Sequence, residues 1–528
     1  MSYDQSKWEL LSKKKSVFSG WYVDNVQPSD SAPYFSPYLR NARVEGQSIV
    51  IRPWHILLTD SLTAWGYSRG ISSYLRADGA NDRMIVRHNI SGTQKLYLMT
   101  ETWALTAITT GANITSDNRS FFLNVWDVIY HMNGVDDYGK LDGTTYTLPT
   151  TGLTNFSPTF AVVFNGSAFA SGRSDNSNIV YKSVWDDYED FAGTWSDTLT
   201  FQENITGLWS SDQALYYFTA NSVSVTGQSD IQSNDTGGGV VLSYITRPLD
   251  TLEWAVNHAS IATRGNKVFC VTPSNKIVFF QPWQSFDGKD TIPLSHRAYS
   301  GIDNLMATLD KDQSDCFAYK LPTENLIKRF FKSQGSTIND ICIVYNVELD
   351  VFLPDTGKYF YDWVHYKGKN YTVSMIEPKV FRDEYAYDDE DAPIPFEYWT
   401  KYFYLWGTTR KTVIRGARTL IDINQLAKLT QSIIVDGRER DMECILWIDI
   451  VDESGGLWTF WVWTESIGAW WVDDDNMVEY ARIRTKWDLN FKGRRVQVRY
   501  KNTTVGGQVR LKDLTLRSER LPDLANNT

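Results

Sequence analysis

Cysteine is scarce: the 528 residues hold four, Cys270, Cys316, Cys342 and Cys444, none in C-x-x-C spacing. That argues against a zinc site or a disulfide scaffold and fits synthesis in a reducing cytosol. The six histidines (His55, His88, His131, His258, His296, His365) form no i,i+4 pair and no H-E-x-x-H, so no metal site is expected. No run of about 18 apolar residues exists, so no transmembrane helix is expected. The opening MSYDQSKWELLSKKKS carries charge without an apolar core, so no secretory signal is expected either. No P-loop or GxGxxG is present. Gly237-Gly238-Gly239 reads as a flexible turn, because no strand leads in and no helix follows. Positive charge is also short, with 52 Lys+Arg against 63 Asp+Glu and a net charge of −11. A static nucleic-acid binder needs a basic footprint to displace counterions from phosphate. Helical periodicity is nearly missing, its best candidates being the short stretches 323–331 and 424–431.

Aromatic residues are plentiful. They make up 14% of the chain, which excludes disorder of the whole. The length suits two to four domains, or one large domain plus appendages. Residues 1–47 read as an extended N-terminal arm, with Pro28, Pro33, Pro37 and the lysine triplet Lys13, Lys14 and Lys15. From residue 48 short β-branched and aromatic runs follow one another. They include SIVIR (48–52), RMIVR (83–87), KLYLMT (95–100), FFLNVWDVIY (121–130), FAVVF (160–164), IVYKS (179–183), ALYYFT (214–219), KVFCVT (267–272) and KIVFF (276–280). Each is bounded by turn residues, which is the signature of strands and hairpins. Pro273-Ser274-Asn275 reads as a hairpin connection.

The chain is therefore expected to be all-β. Units repeat loosely every 40–50 residues or so, as blades of a β-propeller do. Radial closure would also cover sheet edges that otherwise stay open. The propeller is placed at 48–392. The acidic run DEYAYDDED (383–391), followed by Pro393 and Pro395, marks a boundary. Residues 393–520 read as an antiparallel β-sandwich-like domain, and 521–528 as a tail. In RRVQVRY (494–500), Val496, Val498 and Tyr500 would face a core, and Arg495, Gln497 and Arg499 water.

Candidate chemistry is thin. Asp186/Asp187, Asp388/Asp389 and Asp473/Asp474/Asp475 could supply glycosidase carboxylates, but such pairs need unlike environments across a cleft. Adjacent acids on loops read as solvated faces. DESGGLW (452–458) departs from the sialidase Asp-box at Val451 and Glu453. Trp461, Trp463, Trp470 and Trp471 could stack on sugars, but the better reading is packing between sheets or at an oligomer interface. The Gly/Ser/Asp-rich stretches 226–239 and 284–292 are candidate gating loops. No catalytic, cofactor-binding or metal-ligating residue is assigned, and no cofactor is expected.

Two stretches carry a resemblance. The first is SAPYFSPYLRNARVEGQSIVIRP (31–53), with Asn41, Ala42, Arg43, Gly46, Ile49, Arg52 and Pro53. The second is FAVVFNGSAFASGRSDNSNIVYKSVWDDYEDF (160–191), continued by ITGLWSSDQALYYFTANSVSVTG (205–227). Its matching positions are Gly172, Arg173, Asn178, Val180, Tyr181, Ser183, Asp187, Asp190, Phe191, Gly207 and Leu208. Both resemble the β-propeller tail tubular or nozzle proteins of short-tailed bacteriophages. GRRVQVRYKNTTVGGQVRLKDLTL (493–516) is similar to the closing sheet of a sandwich in that group. The resemblance implies a structural virion protein of the tail, made in the host bacterial cytoplasm, and not an enzyme. It implies a homo-hexameric ring below a head-to-tail adaptor protein, holding fibres or spikes and passing double-stranded DNA through its lumen. An acidic lumen would keep DNA from sticking. The basic residues Arg494, Arg495, Arg499, Lys501 and Arg510 are expected to pair with the acidic stretch 383–391 of a neighbour. Two alternatives stay open: a neck or baseplate hub component, and a propeller that binds or degrades glycans.

Overall fold

The computed structural model describes residues 8–10, 21–22, 35–36, 38–45, 48–58, 66–76, 82–100, 104–110, 114–211, 213–228, 231–235, 240–249, 254–264, 267–280, 291–293, 302–321, 325–348, 351–386, 394–400, 402–403, 412–423, 427–446, 478–493, 495–502 and 509–520. Among the described residues seven sheets follow one another, each built on four antiparallel strands that, in all but the last sheet, come in sequence order; the second sheet adds a fifth strand, Thr109–Thr110, parallel to Thr145–Thr147. Blade 1 runs from Gly66–Tyr74 to Leu105–Ala107, and blade 2 from Phe121–Val125 to Thr145–Thr147. Blade 3 runs from Phe160–Phe164 to Asp197–Thr200, and blade 4 from Ile205–Ser210 to Arg247–Pro248. Blade 5 runs from Ala262–Arg264 to Thr291–Pro293, and blade 6 from Phe317–Leu321 to Val351–Thr356. Blade 7 takes Phe360–Tyr366, Lys369–Ser374 and Val380–Ala386 from its own stretch of chain, and its outer strand, Trp54–Leu57, from far upstream.

Apolar packing closes the circle. One core joins blades 1 and 2 through Ile85, Leu98, Ile129 and Leu141. Others join blades 2 and 3 (Tyr138, Phe156, Phe191), 3 and 4 (Phe169, Leu208, Tyr217), and 4 and 5 (Phe218, Val225, Phe280). Blades 5 and 6 share Phe269, Ile327 and Phe331, and blades 7 and 1 share Val364, Val373, Val86 and Met99. The core between blades 6 and 7 continues into the second domain. Strands buried on both faces read as unbroken apolar runs, as ALYYFT does. The all-β propeller expectation holds, and the ring has seven blades.

Local sequence sets the turns. Asn165 and Gly166 take φ of 47° and 74°, the left-handed pair of a two-residue hairpin, between Phe164 and Ser167. The expected hairpin at Pro273 joins Val271 to Ile277. Two expectations change. The run 121–130 is two strands, folded back at Trp126-Asp127, where Val125 pairs with Val128. The helix candidates are strands, Leu326–Lys332 and Ala427–Val435: sheet neighbours on both sides override weak helical propensity.

The second domain is two stacked antiparallel sheets. One orders Val478–Gly493, Thr412–Ile423, Val509–Arg520, Ser48–Ile51 and Ala42–Glu45, and Trp8–Leu10 also pairs with Val509–Arg520. The other orders Tyr38–Arg40, Phe396–Trp399, Val496–Asn502, Ala427–Val435 and Arg438–Leu446. Leu511, Leu514 and Leu516 of the first meet Ile433, Val498 and Tyr500 of the second in one core. Both sheets take strands from the start of the chain. Residues 38–45, expected in the arm, and Ser48–Ile51, expected to open the propeller, therefore lie in the sandwich. A fully buried β-branched run fits either setting, so periodicity alone could not assign it. Gln497, expected on a wet face, is buried and donates from Nε2 to the Thr400 carbonyl at 2.8 Å.

Candidate functional site

The innermost strands leave a cavity of about 370 Å³ at the propeller axis. Every blade or its lead-in contributes to its wall, including Arg69, Asp117, Arg119, Phe160, His258 and Tyr361. Arg119 braces the wall. Its Nη1 donates to the Tyr361 carbonyl at 2.6 Å and its Nη2 to the Asp315 carbonyl at 2.8 Å. Its guanidinium lies 4.0 Å above the Tyr361 ring, and Arg69 approaches the same ring at 4.9 Å. Two cations on one aromatic hold that ring rigidly. Arg69 also pairs with Asp117 at 3.1 Å.

His258 stacks on Phe160, with centroids 4.7 Å apart, and accepts the Leu208 N–H at Nδ1, 3.3 Å away. Burial pushes its pKa down to about 4, so the ring is neutral and carries its proton on Nε2. Gly207 permits this fit, since a Cβ there would come within 3.2 Å of the His258 Cα. Behind Arg119, outside the lining, sits Asp362. It accepts the Ile71 N–H at 3.1 Å, and burial lifts its pKa to about 6, with Arg119 opposing. The cavity is thus lined by aromatic rings, amides and the balanced charges of Arg69, Arg119, Asp117 and Asp315, a lining suited to holding a small polar group.

A second polar centre lies where the sandwich meets blades 6 and 7. Asn41 has φ of 54° and accepts from Arg52 Nε at 2.8 Å and from the Thr356 N–H at 2.9 Å. Its Nδ2 donates to the Pro395 carbonyl at 2.9 Å. Arg43 grips Asp355 with both ends of its fork. Close by, Asp383 accepts from Tyr319, Lys328 and Lys358. Burial raises the Asp383 pKa, but the two ammonium groups win and hold it well below the usual carboxylate range. Burial and Lys358 keep the His55 imidazole neutral, between the edges of Phe360 and Phe381.

The residues singled out from sequence scatter. Asp186 and Asp187 sit in an exposed turn, where Asp187 Oδ1 accepts the Glu189 N–H at 3.0 Å. Arg173 pairs with Asp175 at 2.7 Å, Asn178 donates to the Phe201 carbonyl, and Phe191 fills the core between blades 2 and 3. Arg495 and Arg499 lie over Tyr402 and Trp399, and Lys501 reaches Glu397 at 3.5 Å. Arg510 belongs to the other sheet, so the basic cluster is divided between two sheets. Asp388, Asp389, Asp473, Asp474, Asp475, Trp461, Trp463, Trp470, Trp471, the Asp-box-like segment 452–458, Arg494, His296 and the glycines at 237–239 lie outside the described residues, as does most of 284–292. The axial residues escaped sequence reasoning because no local pattern joins positions so far apart in the chain. Among the described residues no group of three or more His, Cys, Asp or Glu is placed to hold a metal ion, and no helix is long and apolar enough to cross a membrane.

No protein-family model and no curated protein matches the chain. Solved structures resemble it distantly. A computationally designed protein, Ika8, is 9% identical with a TM-score of 0.38 and covers 70% of this chain and 99% of its own. YCF48 bound to a D1 peptide is 13% identical with a TM-score of 0.38, covering 63% and 96%. Virginiamycin B lyase from Staphylococcus aureus is 11% identical with a TM-score of 0.37, covering 62% and 97%. The propeller assignment rests on the seven sheets and the ring of cores, not on these likenesses.

Proposed function

We propose that this protein is a structural subunit of a bacteriophage tail, of the nozzle type, assembling with copies of itself into a ring around passing double-stranded DNA. The observation that carries the reading is the use made of the residues behind the resemblance. Asn41, Arg43 and Arg52 lock the sandwich to the propeller, while Asn178, Phe191 and Gly207 shape blades. They serve architecture, as a load-carrying tail part requires. The head-to-tail adaptor, the fibres or spikes and the sixfold order belong to the same proposal. Electron microscopy of the purified protein tests it: rings with a central channel support it, and monomers at every concentration, with no such ring in virions, overturn it.

The axial cavity favours a second reading, a propeller that binds a glycan. Binding on a glycan array that is lost in Arg119→Met would support it, and an array without signal would remove it.

A further inference from the structure

Arg329 occupies the second strand of blade 6, Leu326–Lys332, a run buried along its whole length. Alternation gives the strand two charged faces. Lys328 turns toward blade 7, where Asp383 accepts from it. Arg329 turns the other way, with Ile327 and Phe331, into the interface with blade 5. There it is wholly buried, and its Nε, Nη1 and Nη2 all lack an acceptor. No other arginine or lysine among the described residues has every side-chain nitrogen in that condition. Arg87 donates to the Asn118 carbonyl and Ser120, Arg119 to two carbonyls, Arg43 to Asp355, and Lys182 to the Trp195 carbonyl.

The surroundings do not neutralise the charge. The ionisable groups acting on Arg329 are Cys270, Tyr345 and Cys316, and no carboxylate is among them. The guanidinium lies over the Phe269 ring at 5.7 Å, a longer contact than the 4.0 Å of Arg119 over Tyr361, and a neutral ring supplies neither a counter-charge nor an acceptor for the N–H groups. Burial lowers the guanidinium pKa only to about 10, which leaves it charged near neutrality. A buried guanidinium with neither counter-charge nor acceptor is strongly unfavourable, and proteins of ordinary stability seldom carry such a group bare. Water would satisfy the N–H groups without balancing the charge. A small, weakly hydrated anion does both, and the aromatic and thiol neighbours suit a polarisable one.

We propose that Arg329 binds a halide between blades 5 and 6, as a fixed structural ion of the propeller.

The test compares melting of the full-length protein in sodium bromide and in sodium gluconate at one ionic strength. A ligand that binds only the folded state raises the melting temperature. The expected result is a rise of several degrees in bromide that disappears in Arg329→Met, whose apolar side chain needs no counter-ion. The same rise in Arg329→Met, or no difference between the two salts for the wild type, overturns the proposal. Should Arg329→Met fail to fold, a bromide-soaked crystal of the wild type decides. An anomalous peak within hydrogen-bonding distance of the guanidinium supports the site, and ordered water without anomalous signal there overturns it.

Discussion

Arg43 and Asp355 meet fork to fork, Nη1 to Oδ1 at 2.8 Å and Nη2 to Oδ2 at 2.7 Å, although 312 positions separate them in the chain. The first lies in a sandwich strand, Ala42–Glu45, and the second in the outer strand of blade 6, Val351–Thr356. Planar, paired hydrogen bonds fix direction as well as distance, so this contact sets how one domain sits on the other. Arg52 Nε stands 3.5 Å from the same carboxylate and also holds Asn41.

Breaking this pair from one side is expected to be costly. Asp355→Ala leaves two buried guanidinium groups short of a counter-charge, and such a loss costs about 3–5 kcal/mol. Arg43→Lys keeps the charge but loses the fork, and should cost less. Urea denaturation of the three proteins checks the order. The pH dependence has a definite sign. Burial raises the Asp355 pKa, but Arg43 and Arg52 outweigh it and hold the folded value below the ordinary one. The contribution is therefore complete above the unfolded carboxyl value and fades as pH falls below it. An Asp355→Ala protein as stable as the wild type would mean that the junction bears no load.

Two buried imidazoles lose stability in the same direction, over a window that opens at higher pH. His88 and His131 have pKa values pushed down to about 3 by burial, with Arg87 adding to the effect on His131. Both rings are neutral in the fold, and His131 lies between Ser120 Oγ at 2.8 Å and Tyr146 OH at 3.1 Å. The unfolded chain protonates these groups first, near their ordinary value. Stability is whole above that value and drains as pH falls from it toward the folded values. Each imidazole should contribute a slope of about 1.4 kcal/mol per pH unit across that range. His131→Gln, measured by urea midpoints at neutral and mildly acidic pH, should remove one such slope. An unchanged slope would show that the ring is not shielded in solution.

Asp362 should behave in reverse. Burial lifts its folded pKa to about 6, with Arg119 opposing, so the fold prefers the protonated form. That preference aids stability below the unfolded carboxyl value and is lost as pH rises through about 6. Asp362→Asn keeps an oxygen for the Ile71 N–H and removes the buried charge. The variant should gain up to about 3 kcal/mol at slightly alkaline pH, by the usual conversion of a pKa shift, and nothing at pH near the unfolded value. Denaturation at the two pH values decides, and a loss at alkaline pH would mean that the Arg119 contact outweighs the burial cost.

How far this was readable from sequence depends on the range over which each signal acts. Strand runs such as ALYYFT, and the hairpin connection at Pro273-Ser274-Asn275, rest on neighbours in the chain, and they fold as read. The split of FFLNVWDVIY needed the positive φ of Trp126, for which the residue type gives no warning. Ser48–Ile51 went to the sandwich because its partner Arg510–Leu511 lies at the far end of the chain. No window of sequence holds both. The axial cavity is the extreme case, with walls drawn from around the whole ring. The motif residues Arg43 and Arg52 were visible, but their partner, Asp355, was not marked by anything near it in sequence.

The same long-range logic predicts a weak point at ring closure. Blade 7 has its outer strand, Trp54–Leu57, only by pairing with Val380–Ala386, Leu57 opposite Phe381 and Ile56 opposite Arg382. The next residue continues the seam, since Leu58 N–H donates to the Val380 carbonyl at 3.0 Å. Leu58→Pro deletes that donor where proline tolerates no ladder bond. The remaining blades keep every strand, so the damage should be local. Amide exchange should speed up in Lys369–Ser374 and Val380–Ala386 while Ser167–Ser171 of blade 3 keeps its protection, because opening a small unit requires less free energy than global unfolding. Leu58→Ala, which keeps the N–H, should leave both regions protected. Equal acceleration in blades 3 and 7 would instead show that the propeller opens as one unit, with no seam at the closing strand.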